Sequence, residues 1–270
     1  MHARVSLHQV AMMDEPTAAF IGHCNAIGAA RMTLVMPMLA QPGEQDRARA
    51  ALAAGSARCH TVNHPVAMGS NLERASPEAE TAALLGAIDM AASLGANGIY
   101  MVSGGRGSLL WEAAAQRFAA IVAPCLQPAR ERGVRLLVET ASDFNVDIHL
   151  AHTLDDTARL AEIAGIEVCI ELAACWFEAD LREKFRRIVP KTGLVQVCDY
   201  VSGDRTAPCR AVPGDGMIPN AWLLGELLEA GYAGVFDLEL VGPRIAAEGP
   251  REATRRAAEN LSELLTRLGA

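Results

Sequence analysis

The chain has 270 residues, is 51% hydrophobic with only 4% aromatic residues, and carries a formal net charge of −8. That length and apolar content fit one large domain over residues 1–270. The acidic balance excludes a phosphate-backbone binder, which presents a basic face, so no nucleic-acid partner is expected. The densest basic runs, "ARERGVR" and "REKFRR", suit solvated helix faces. The seven cysteines form no C-x-x-C pair, the N-terminal "MHARVSLHQV" has no signal-peptide core, and no apolar run reaches bilayer length. The expectations are reduced thiols, a cytoplasmic location and no membrane partner.

Along the chain, "ARVSLHQV" reads as a first strand. A pattern then recurs, in which a helical stretch stops at a glycine and a short β-rich run follows. The instances are "AIGAARMTLVM", "LAAGSARCHTV", "SLGANGIYMV", "ERGVRLLVE", "IAGIEVCIE", "KTGLVQVCD" and "EAGYAGVFDLE". Their glycines, Gly28, Gly55, Gly95, Gly133, Gly165, Gly193 and Gly231, are each predicted to stop a helix, because glycine takes the left-handed conformation without a Cβ penalty. Between them "SPEAETAALLGAIDMAASLG" opens with Ser76 as N-cap and Pro77 at the first helical position. "TLDDTARLAEIAG" and "PREATRRAAENLSELLTRLG" read alike. The strands are near-continuous apolar runs, as in a parallel sheet covered on both faces. Eight strand–helix alternations predict an α/β chain folded as a single-domain (β/α)8 TIM barrel. A doubly wound sheet is the rival, but "HQVAMMDEPTAAF" after the first strand holds no glycine for a dinucleotide turn.

Barrel chemistry sits at the C-terminal ends of the strands. The fifth run, "VRLLVET", delivers Glu139, the sixth, "EVCIEL", Glu171, the seventh, "LVQVCD", Gln196 and Asp199, and the eighth, "VFDLEL", Glu239. With a period of two, Glu139 shares a face with Leu137, Glu171 with Cys169, Gln196 with Leu194 and Glu239 with Asp237. Carboxylates gathered at low dielectric repel by several kcal/mol, roughly, and need a counter-charge. No strand end offers Arg or Lys, so a divalent cation held by oxygens is the economical answer.

This layout resembles the xylose isomerase-like TIM barrels, a superfamily of sugar isomerases and epimerases with a hydroxypyruvate isomerase-like branch. The motifs are "LLVET", "ELAACW", "QVCDYVSGDRTAPCRAVPGDG" and "DLEL", in that order. The resemblance implies Glu139, Glu171, Gln196 and Glu239 as ligands of one divalent metal, with Glu139 and Glu239 also the catalytic acid/base pair. Gln196 in place of the family's commoner His hardens the donor set and favours Mn²⁺ or Mg²⁺ over Zn²⁺. Two positions depart from the family pattern: Glu171 replaces an Asp, and Ala174 stands where many members have a substrate-binding His.

The implied function is a metal-dependent isomerase or epimerase that abstracts a proton beside the carbonyl of a small, sugar-like hydroxy-carbonyl substrate. The alternatives are a dehydroshikimate dehydratase-type lyase, favoured by Ala174, and a non-catalytic binding subunit that retains the barrel. The family's DNA-repair branch is opposed by the charge. On the substrate side, Arg205 is preferred over Arg210 for the family's arginine in the loop after the seventh strand. His8 and His64, at the ends of the first and third strands, and Trp176, just past Glu171, are the other candidate substrate contacts. His149 and His152 are candidates to replace the missing His, and "SGGRGSLLW" reads as a flexible loop of the catalytic face. Exposed barrel helices leave room for a homo-oligomer.

Overall fold

The computed structural model describes all 270 residues. Eight strands form one closed, all-parallel barrel in sequence order: β1 (Val5–His8), β2 (Arg31–Val35), β3 (Arg58–Pro65), β4 (Gly98–Val102), β5 (Arg135–Glu139), β6 (Glu167–Glu171), β7 (Thr192–Val197) and β8 (Phe236–Leu238). The eight principal helices are α1 (Thr17–Ala26), α2 (Glu44–Ala53), α3 (Pro77–Ser93), α4 (Trp111–Val122), α5 (Leu154–Ala164), α6 (Leu181–Ile188), α7 (Asn220–Glu229) and α8 (Pro250–Arg267). Shorter helical turns punctuate several loops. No helix is long and apolar enough to cross a membrane.

The strands are apolar on both sides because each side meets a different core. Outward residues such as Val62, Met101, Val138, Ile170 and Val195 pack against the helices. Inward residues Tyr100, Leu137, Cys169, Leu194 and Val235 form a separate plug inside the barrel. Each fully buried Leu or Val contributes about 1.5–3 kcal/mol. On α8 the stripe Ala253, Ala257, Leu261, Leu265 repeats every four residues and is fully buried. Helix starts follow their sequence signals: Ser76 Oγ accepts from the Ala79 amide at 3.3 Å, and Thr153 Oγ1 accepts from the Asp156 amide at 3.1 Å.

Five of the seven marker glycines do take positive φ at a helix end: Gly28, Gly95, Gly133, Gly165 and Gly231. Gly55 and Gly193 do not. Gly193 lies inside β7, at a register shift where Val168 pairs with Thr192 but Cys169 pairs with Leu194. A Cβ there would meet Leu137 Cδ2 and Glu167 Oε2, each at 2.5 Å. Glycine is needed for close approach at a bulge, and the preceding helix ends instead in a 3-10 turn over Val189–Lys191. All seven cysteines are free thiols.

Candidate active site

Glu139 and Glu171 are the last residues of β5 and β6, Gln196 is one short of the end of β7, and Glu239 follows β8 directly. Strand pairing sets Glu171 beside Gln196, and Gln196 beside Asp237. Glu139 pairs two residues lower, with Cys169, and the tilt of barrel strands brings it to the same height. The three glutamates each offer a carboxylate oxygen, and these oxygens lie within 4.8 Å of one another. Glu139 is 5%, Glu171 3% and Gln196 1% exposed. Burial, and then the nearby Glu239 carboxylate, push the Glu139 carboxyl well above the usual range, while Gln196 and Arg210 pull the other way.

The counter-charge within the protein is Arg210. Its guanidinium contacts Glu171 Oε1 and lies 4.0 Å from Glu239 Oε2. It is not the arginine preferred from the sequence: Arg205 is exposed in the same loop. The reason is the anchoring of the loop. Asp199 and Ala211 form an antiparallel bridge, and the Arg210 amide donates to the Val241 carbonyl at 3.0 Å. The guanidinium is thereby held over the end of the barrel.

Asp199 itself braces that loop. It is 1% exposed, and its carboxylate accepts from the amides of Tyr200 (2.8 Å), Gly214 (2.9 Å) and Ile218 (3.0 Å). A Cβ on Gly216 would stand 2.3 Å from Asp199 Oδ1, so the "PGDG" turn wraps the carboxylate at van der Waals distance. Asp199→Ala is expected to cost about 3 kcal/mol, because it orphans charge-assisted amide bonds. Urea denaturation checks this, and a loss under about 1 kcal/mol would show that water replaces the brace.

The predicted substrate contacts divide. His8 faces inward but is 1% exposed, with both ring nitrogens engaged: Nδ1 by the Val10 amide (2.9 Å) and Nε2 by Tyr100 Oη (2.5 Å). His64 faces the wrong way. It pairs with Met101, on the helix-facing side of the sheet, and burial holds its imidazole down to about 4. Asn63 is the inward residue there, paired with Tyr100. Trp176 is half-buried, packed on the outer core with Phe177 edge-on to it. His149, by contrast, comes within 3.7 Å of Glu139 Oε2. Burial pushes its pKa down to about 3, so it is a neutral imidazole beside the carboxyl. His152 turns away and bonds the Ala141 and Ser142 carbonyls. In "SGGRG", Gly104 packs on Val66 and Leu72, and a Cβ on Gly105 would stand 2.2 Å from the Asp147 carbonyl oxygen, so those glycines serve loop-on-loop packing.

The donors fit a hard divalent cation. With all three carboxyls ionised, as ligands to a cation must be, they and one guanidinium sum to −3 + 1 = −2. The fourth position, Gln196, spends its oxygen only on a weak bond from the Cys169 thiol at 3.3 Å, while its NH₂ is turned toward Glu139 without a bond of normal geometry. Turning the amide over directs the oxygen at the carboxylates instead. The set is then all oxygen.

The sequence pattern described as xylose isomerase-like TIM barrel matches residues 23–264. No curated protein matches the chain in sequence. Among solved structures, the IolI protein with a binding zinc atom superposes with a TM-score of 0.83 at 14% identity, over 98% of this chain and 99% of that one. L-ribulose 3-epimerase gives 0.79 at 17% identity, over 99% and 96%. The probable 3-DHS dehydratase AsbF from Bacillus anthracis gives 0.75 at 13% identity, over 96% and 98%. At these identities the likeness shows the fold.

Proposed function

The chain belongs to the xylose isomerase-like TIM barrel family, and from that membership we propose that it is a divalent-metal-dependent isomerase or epimerase of a small hydroxy-carbonyl compound. The observation that carries the reading is the convergence of Glu139, Glu171 and Glu239 on one buried centre at the C-terminal mouth of the barrel. Glu139, Glu171, Gln196 and Glu239 would hold the ion, with Mn²⁺ or Mg²⁺ preferred by an all-oxygen set. When bound, the ion polarises the substrate carbonyl and acidifies the adjoining C–H. Glu139 takes that proton. It holds the proton until it is returned. Glu239 serves the opposite face of the carbon. Arg210 binds a substrate oxygen and offsets the carboxylates, and the buried setting limits loss of the proton to water.

The test is hydrogen exchange. Mn²⁺-loaded protein in heavy water is expected to place deuterium on the carbon next to the carbonyl in at least one member of a panel of ketoses and hydroxy-ketoacids. No exchange anywhere in the panel overturns the proposal. Ala174, 1% exposed on the turn after Glu171, favours a second reading. An apolar methyl there suits a less hydroxylated substrate, from which the same deprotonation expels a β-hydroxyl. AsbF, a probable dehydratase, shares the fold. Product mass separates the two: loss of water identifies a lyase, and unchanged mass an isomerase.

A further inference from the structure

Tyr100 floors the site. It pairs in register with Leu137 and so points into the barrel, where it is 1% exposed. Its hydroxyl reaches His8 Nε2 on β1 at 2.5 Å, so the ring crosses the barrel from β4 beneath the glutamates. The direction of that bond follows from the other ring nitrogen. His8 Nδ1 accepts from the Val10 amide at 2.9 Å, and a backbone N–H can only donate. Nδ1 therefore carries no proton, and the neutral ring keeps its hydrogen on Nε2. His8 donates, Tyr100 Oη accepts, and the phenolic hydrogen must be directed elsewhere. No protein atom accepts it within hydrogen-bonding geometry. The carboxyl groups around the phenol belong to Glu139, Glu239 and Asp237.

We propose that Tyr100 is a hydrogen-bond donor at the floor of the active site, offering its phenolic hydrogen to the substrate oxygen that gains negative charge on deprotonation, with His8 as the positioning residue that aims it. The proposal rests on the isomerase-or-epimerase reading. A preorganised donor at the point where charge develops, shielded from water, is a strong contributor to such a step. His8 then acts through Tyr100 and does not touch substrate.

The probe is oxalate, a planar dianion resembling a deprotonated hydroxy-carbonyl, titrated calorimetrically into the Mn²⁺-loaded protein. Tyr100→Phe is expected to leave Mn²⁺ affinity within about twofold and to weaken oxalate by about 30-fold, as for a lost bond to a charged group. His8→Gln is expected to give a smaller loss, since the donor remains but is less well aimed. If Tyr100→Phe binds oxalate as the parent does, or the parent binds Mn²⁺ but not oxalate, the proposal is overturned while the metal site stands. A parent that binds no Mn²⁺ overturns the functional reading itself. Nitrogen-15 NMR of the metal-free protein tests the pair without any substitution. The expected His8 signals are a protonated Nε2 and a bare Nδ1, and a proton on Nδ1 would remove the basis for the donor.

Discussion

Glu139→Gln is expected to lower solvent exchange of the substrate hydrogen by about a thousandfold at saturating Mn²⁺, within the range for loss of a general base. Glu239→Gln is expected to block product formation to a similar degree while leaving slow exchange, because the first proton can still be taken from Glu139's face. The amide keeps an oxygen at the same place, so both variants should lose much less in metal affinity than in rate. Glu171→Gln provides the contrast. Its carboxylate meets Arg210 and has no assigned proton, so saturating Mn²⁺ should recover most of the activity. Exchange by Glu139→Gln within tenfold of the parent would rule Glu139 out as the base. Electron paramagnetic resonance of bound Mn²⁺ reports occupancy separately, so a lost ion cannot pass for a lost base. Glu139 and Glu239 are each ligand and proton carrier at once, and the two readouts separate those duties.

The strand-end oxygens were legible in the sequence for a simple reason. A period of two, anchored by a glycine-to-strand repeat, places Glu139, Glu171 and Gln196 on the inward face without tertiary information. His64 shows where that reasoning stops. Between β2 and β3 the register slips, with Met32 paired to Cys59 but Thr33 to Thr61. The one-residue bulge exchanges the faces of β3, putting Thr61 and Asn63 inward and His64 outward. A bulge costs one residue of pairing and leaves no composition mark in "CHTVNHP". Arg210 ranks behind Arg205 in the sequence because distance along the chain from Gln196 says nothing about the Asp199–Ala211 bridge that folds the loop back. Tyr100 carried no signal beyond being a polar aromatic in "GIYMV". Its partner His8 lies 92 positions away, and only closure of the barrel joins them.

Arg210→Ala is expected to destabilise the metal-free protein by about 3 kcal/mol at pH 8, the usual scale for breaking a buried ion pair from one side. Arg210 and Glu171 are 14% and 4% exposed at the side chain, so solvent cannot take over the neutralisation. The loss should shrink toward pH 5. Glu139 already has a raised carboxyl pKa, and Arg210 is one of the groups holding it down. In the parent, native Glu139 keeps a proton above about pH 4.3, where the unfolded chain has released it, so its contribution falls as pH rises through that window. Without Arg210 the native pKa climbs further and the window extends upward, so the gap between variant and parent widens with pH. Saturating Mn²⁺ should narrow the gap, since a divalent ion supplies positive charge to the same carboxylates and binds best when they are deprotonated. Urea denaturation at pH 5 and pH 8, with chelator or with Mn²⁺, gives the four stabilities required. A loss that is the same at both pH values and indifferent to Mn²⁺ would mean that Arg210 contributes packing alone, and the case that these carboxylates need a cation would lose its energetic support.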